Sequence, residues 1–198
     1  MTINPYVDPE GRPCQGSLYR DMILVIPGGS LRADKIPFST LEMPYAVAMS
    51  QECDLALDCE AREKDLSHKP APEDKLLLSV LICPAYRSSL FKEGRHLEDL
   101  GMKMHRHSSK PWGVLKNNSN PRYHFMCAWP PLQVPELVID FKHFHTISTE
   151  FLRKVYGGPK HHIARLACPY REELSQRFAS YLARIGVPVP HGEVKGAV

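Results

Sequence analysis

The chain contains no long apolar run. Its richest stretches, Leu76 to Leu78 with Val80 to Cys83, fall far short of the roughly 18–20 residues that span a bilayer, so no membrane partner is expected. The opening MTINPYVDPEGRPCQG has neither a basic start nor an apolar segment, which argues against a secretory leader. There is no Cys-x-x-Cys and no pair of close ligand doublets at zinc-finger spacing, so neither a structural zinc nor another metal is expected. No cofactor motif is recognisable, and none is expected to be bound. The six cysteines, Cys14, Cys53, Cys59, Cys83, Cys127 and Cys168, are scattered, several of them inside apolar runs. They read as reduced, mostly buried thiols rather than a disulfide framework, which places the chain in the cytoplasm.

One absence is local. Between Gly101 and Pro135 there is no Asp or Glu, while Lys103, Arg106, Lys110, Lys116 and Arg122 all fall there. Trp112 and Tyr123, His105, His107 and His124, and Asn117, Asn118 and Asn120 are interleaved with them. Cations mixed with aromatics and amides can neutralise phosphates and stack bases of a single strand. A surface loop of locally uneven charge explains the same pattern. Glu52 to Asp74 has the opposite bias, with eight acids against three Lys or Arg.

What is present is ordinary for a globular protein: 198 residues, 43% hydrophobic, 24% charged, with a formal net charge of +3. The length suits one domain. Residues 1–16 carry three prolines and two glycines and read as a flexible lead-in; 189–198 read as a flexible tail. Short apolar runs bounded by Pro and Gly predict strands at Leu18–Ile26, Tyr45–Ser50 and Leu76–Cys83. A short helix over Ser89–Leu100 and a long aperiodic loop then form an insertion at about 87–121. Strand signals return at Tyr123–Trp129, Leu137–Ile147 and Ile163–Cys168. Ser148 is placed to cap a short helix over Thr149–Tyr156. Leu174, Phe178, Tyr181, Leu182 and Ile185 lie on one face of a final helix, Arg171–Ile185, stopped by Gly186 and Pro188. Strands without regularly alternating helices predict an α+β fold: a small SH3-like antiparallel β-barrel or curled sheet over 17–188, with the C-terminal helix packed on it.

In strand order the chain resembles the MazF/PemK family of toxin endoribonucleases. The likeness rests on Gly16-Ser17 with Leu18 to Ile26, Pro44 with Tyr45 to Ser50, Leu78 to Pro84, Val138 to Ile147, and Ile163 to Gly186, roughly half the chain. Three departures fall where that family carries its chemistry. Met43 precedes Pro44 where the family usually has Arg, Ala85-Tyr86 stand where it has Thr or Ser, and residues 87–122 are longer than it needs. The resemblance implies a bacterial, toxin–antitoxin type of domain that binds RNA and either cleaves it without a metal or has kept binding alone.

Among individual residues, Ser50-Gln51-Glu52-Cys53-Asp54 joins an apolar strand to a thiol and two carboxylates. Catalysis by Cys53 requires a base such as His124, oriented by Asp54. In an RNase, Arg122 would stabilise phosphorane charge and His124 would serve as acid or base. The plainer account makes Cys53 a core thiol, Asp54 a turn cap and His124 a packed strand residue. The acids Asp54, Asp58 and Glu60 with Lys64 form a weaker Mg²⁺ alternative, and His105/His107, His143/His145 and His161-His162 a weaker zinc one. The expected nucleic-acid contacts are Lys103, Arg106, Lys110, Trp112, Lys116, Arg122 and Tyr123. Two other classes stay open: a non-enzymatic protein-interaction subunit or homodimer of a bacterial or phage-related system, using the insertion as contact surface, and a Cys-dependent hydrolase or transferase.

Overall fold

The computed structural model describes residues 4–9, 11–27, 37–66 and 73–184. The tail expected at 189–198 and the end of the last helix lie outside them. Eight strands are present: β1 Tyr6–Val7, β2 Ser17–Pro27, β3 Phe38–Ala48, β4 Ser79–Arg87, β5 Tyr123–Met126, β6 Leu137–Asp140, β7 His145–Ser148 and β8 His162–Leu166. They form one antiparallel curled sheet in the order β1-β8-β2-β3-β4-β6-β5, with β7 also paired to β4. The fold is α+β, as the strand-rich pattern predicts.

The helices are α1 Glu52–Leu66, α2 Ser88–Glu93, α3 Ser109–Lys116, α4 Thr149–Phe151 with a π turn over Leu152–Tyr156, and α5 Tyr170–Leu182. Together they bury both faces of the central strands. On one face Tyr45, Val47, Cys83 and Ala85 meet Leu174 and Phe178 of α5. On the other, Ala46, Ala48, Val80 and Ile82 meet Leu55 of α1 and Leu152 and Tyr156 of α4. A strand covered on both sides has no polar face to alternate with, which is why Ala46–Met49 and Val80–Ala85 read as near-continuous apolar runs. Burying Leu174 and Phe178 stabilises the docked α5 by about 1.5–3 kcal/mol each.

Two sequence expectations, on the lead-in and the insertion, need correction, and the structure of the acidic stretch between them, open to helix or loop, is decided. The lead-in is not free where it is described: Tyr6 pairs with Leu166 and is fully buried, and Cys14 is also sealed in the core. The acidic stretch after β3 is a 15-residue helix, α1. Its apolar residues contribute Leu55, Cys59 and Ala61 to the interior, too sparse a stripe to register as a periodicity. The insertion holds two helices rather than one followed by loop. α2 stops at Glu93 because Gly94 takes φ +73°, and a Cβ there would sit 2.4 Å from the Met104 carbonyl oxygen. Only glycine permits that close crossing.

β6 and β7 run along the same edge of β4, with Ala85 opposite Ile139 and Ile82 opposite His145. Between those rungs, Cys83 and Pro84 on β4 face five residues, 140–144, on the partner. Pro84 has no amide to donate, so the ladder breaks there. The excess chain turns out of the sheet at Phe141–His143, with the Asp140 carboxylate accepting from the Lys142 amide at 3.0 Å. That excursion positions the groups described next.

Candidate functional site

The described insertion folds back over the β5–β6 end of the sheet. From Gly94 the chain turns so that residues 102–108 lie along α2, with the Met104 amide donating to the Gly94 carbonyl at 3.3 Å and the His107 amide to the Lys92 carbonyl at 2.9 Å. Phe91 anchors this arrangement at 1% exposure, within the cluster of Tyr86, Leu97, Leu115 and Val138. Its ring stacks on His96 (4.2 Å between centroids) and on His107 (5.4 Å), and meets Tyr123 edge-on at 5.3 Å.

Beneath the aromatics lies a polar set supplied by four separate segments. Arg122 donates from Nε and Nη2 to the two carboxylate oxygens of Asp140, which is 1% exposed. The His143 Nδ1 lies 3.0 Å from the Tyr86 hydroxyl, and its Nε2 is 3.7 Å from Asp140. His96 is half-buried, with both ring nitrogens sealed and neither hydrogen-bonded. Burial, then the neighbouring His143, pushes the His96 pKa down to about 4. Burial also lowers that of His143, outweighing the pull of Asp140. The 3.7 Å approach is therefore a contact between a carboxylate and a neutral imidazole rather than an ion pair. Hydrogen bonding to Asp140 raises the Arg122 pKa.

Above this layer the surface opens into a cleft of about 490 Å³ lined by Lys92, Glu93, Arg106, His107, Ser108 and Ser109. α3 begins at Ser109 with no side chain bonded to its first turn. The Lys92 Nζ stands 5.9 Å from the centre of the half-buried Trp112 ring. Burial, then the neighbouring His105, lowers the His107 pKa. The Glu93 carboxylate reaches Arg95 at 3.4 Å, which offsets part of its charge. The cleft thus offers two cations against one carboxylate, two hydroxyls and an imidazole, with the Trp112 ring beside Lys92, a composition suited to an anion carried next to a flat ring.

The proposed catalytic group does not assemble among the described residues. Cys53 and Asp54 lie exposed in the first turn of α1, and the Cys53 thiol contacts only Gln51 and Asp54, at 3.6 and 3.7 Å. His124 lies on β5, the terminal strand beyond β6, packed beside Phe141 and 5% exposed. No hydrogen bond, ion pair or ring contact joins the two pairs of residues. The helix starting at Glu52 carries the thiol out towards solvent, whereas the alternation of β5 turns His124 into the core.

Of the expected nucleic-acid contacts, Arg106 lines the cleft, and Trp112 lies outside the lining but beside Lys92, which belongs to it. Lys103 and Lys110 are exposed nearby. Lys116 pairs with Glu136 at 2.9 Å and lies over Phe125, Arg122 is held by Asp140, and Tyr123 packs against Phe91. Those last three serve first to hold the platform together. The Mg²⁺ alternative loses Asp58, which is 2% exposed and binds Arg62 and the Leu77 amide. Of the zinc alternatives, His143 bonds Tyr86, His161 the Arg20 carbonyl and His162 the Ser17 hydroxyl. Among the described residues no three His, Cys, Asp or Glu side chains converge to hold a metal.

Sequence reasoning missed Lys92, which precedes the acid-free window, and Tyr86, His96 and Asp140, and it offered His143 only as a zinc ligand. Their spacing carries no signal, because the sheet break at Pro84 and the turn at Gly94 bring them together. Among the described residues, no helix is long and apolar enough to cross a membrane. Comparison with protein-family models, curated proteins and solved structures finds no match to the chain.

Proposed function

We propose that the chain binds single-stranded nucleic acid across the cleft between α2 and α3, using Lys92, Arg106 and His107 for phosphates and Trp112 for a base. The observation that carries this is the cleft itself, two cations and two serine hydroxyls against a single carboxylate, Glu93, with the Trp112 ring beside Lys92. Cation–phosphate contacts supply affinity and the ring supplies sequence-tolerant stacking. RNA is the first polymer to test, since the MazF/PemK resemblance points to it. Binding is the proposal; cleavage is not, because Cys53, Asp54, Arg122 and His124 do not share a cleft.

A fluorescein-labelled 12-nucleotide single-stranded RNA, followed by anisotropy at 50 and 200 mM salt, tests this directly. Affinity should fall as salt rises, by about 0.7 log unit per log of salt for each phosphate neutralised. Lys92→Ala with Arg106→Ala should remove most of it. Absence of salt-sensitive binding in the wild type, or full retention in the double variant, refutes the reading.

A second reading, contact with another protein or a second copy, draws on a different surface from the insertion. Ile23 and Val25 of β2 and Phe38 of β3 are 46%, 65% and 68% exposed, an apolar cluster at the outer end of the β2–β3 arm. Sedimentation of wild type against Val25→Lys distinguishes it. A concentration-dependent dimer that the substitution abolishes favours self-association, and a monomer at all concentrations removes it.

A further inference from the structure

The curled sheet does not close. Its terminal strands are β1 and β5, and across the seam between them the Tyr6 hydroxyl donates to the Cys127 carbonyl, just past β5, at 2.7 Å. At this seam lies a second cavity of about 180 Å³, walled by Tyr6, Met126, Leu166 and Tyr170, with Asn118, His124, Cys127 and Glu173 among its polar groups.

The seam is not a slot for another strand. The outward amide and carbonyl of Phe125 are taken by the Asn118 side chain, at 2.6 and 3.3 Å, and the Tyr123 carbonyl by Arg177 at 2.7 Å. With those groups occupied, β5 cannot template a further ladder. The cavity is available to side groups or small rings, not to extended backbone.

His124 is the unusual wall. It is 5% exposed, its Nδ1 is sealed without a partner, and no described residue hydrogen-bonds to the ring. Burial, then the neighbouring Arg177 charge, drives its pKa down to about 3, so the ring is neutral. A neutral imidazole has one donor and one acceptor, and the Nδ1 atom stands unpaired in a lining otherwise largely apolar. Buried polar groups are nearly always paired, so an unpaired one marks a place where something is missing. Glu173 and the lack of any lining cation disfavour an anion. The half-buried Tyr170 ring favours a flat partner, and an engineered cavity of roughly 150 Å³ already holds a benzene ring.

We infer that the seam cavity binds a single uncharged heteroaromatic ring of the nucleobase class, packed against the half-buried Tyr170 and hydrogen-bonded to His124. Everted bases of single strands are recognised in this way, by stacking and by contacts to their edges. As the source of that ring, the inference rests on the nucleic-acid reading, with β5 presenting Tyr123 to the insertion and His124 to the seam. The chemistry of the cavity holds equally for a free base or nucleoside.

The test titrates the full chain with adenosine, guanosine, cytidine and uridine, reading the imidazole nitrogens of His124 by long-range ¹⁵N correlation NMR. At least one nucleoside should shift His124 saturably. His124→Phe should weaken that nucleoside at least tenfold. Cys127→Trp, which fills the mouth from an exposed position, should do the same without touching the buried ring, so a folding defect in the first variant leaves the second decisive. No saturable shift with any nucleoside, or unchanged affinity in Cys127→Trp, overturns the inference. Anisotropy with RNA separates the two readings: salt-sensitive RNA binding without nucleoside binding sinks the seam site alone, and nucleoside binding without salt-sensitive RNA binding sinks the cleft alone.

Discussion

Acidification from pH 7.5 to pH 5 should strip several kcal/mol from this fold, through two histidines that the structure keeps neutral. His162 is 2% exposed, hydrogen-bonded to the Ser17 hydroxyl at 2.9 Å and stacked on Tyr19 at 4.8 Å. Burial, then the nearby Arg165, lowers its pKa to about 4, and His124 lies at about 3. Both folded values sit below the unfolded one of about 6.5. Between those limits the unfolded chain binds protons that the folded chain does not, so stability is full above pH 6.5 and falls as pH drops towards 4. At pH 5 each histidine costs about 2 kcal/mol on this arithmetic, or about 4 kcal/mol together. His96, less buried, adds a smaller amount in the same direction. Native domains have only about 5–15 kcal/mol in hand, so the effect is large. Urea denaturation at pH 7.5, 6.5, 5.5 and 5.0 measures it, with a midpoint expected to fall by about 2 M for a slope of about 2 kcal/mol/M. Carboxylates held low by partners, such as Glu136 beside Lys116, act at lower pH, so the window from 5 to 6.5 belongs to histidine. The double variant His124→Phe, His162→Gln should flatten that window. A wild-type midpoint that does not move, or a double variant with an undiminished slope, would refute the reasoning.

Three further outcomes follow from the same geometry. Arg122→Ala leaves the Asp140 carboxylate buried with the Lys142 amide but without its cation; since Arg122 is itself 32% exposed, the loss should be about 2–3 kcal/mol, below the 3–5 of a fully buried pair. Calorimetry should show it as a melting temperature lower by about 5–10 °C, with Asp140→Ala adding little in the double variant. Arg106→Ala, by contrast, should leave melting unchanged and reduce the salt dependence of RNA binding by about 0.7 in slope, so the two arginines are separable by two measurements on the same proteins. Asn118→Ala frees the outer amide and carbonyl of Phe125, which should cost about 1–2 kcal/mol and produce concentration-dependent association in analytical ultracentrifugation through the opened strand edge.

The chain's own pattern carried the class of the fold. Apolar runs bounded by Pro and Gly located β2, the second half of β3, β4 and β8, and the stripe of Leu174, Phe178 and Tyr181 located α5, because burial against a core imposes those periods on composition. Ser148 announced α4, and its hydroxyl accepts from the Phe151 amide at 3.4 Å. Helix α1 stayed open between helix and loop because its apolar residues are few among acids. The acid-free window was visible as charge, and it marked the Arg106 side of the cleft. What tertiary structure alone decided is which polar groups meet. Asp140 and His143 reach Tyr86 only because Pro84 cannot donate to the sheet and five residues turn outward opposite two. Lys92 faces Arg106 only because Gly94 tolerates a carbonyl at its Cα. His124 faces a seam because β1 and β5 end the sheet without closing it. Periodicity reports how each residue stands to its own element. Contacts between elements distant in sequence depend on how the sheet curls and where its ladder breaks, and no local pattern of residues encodes that.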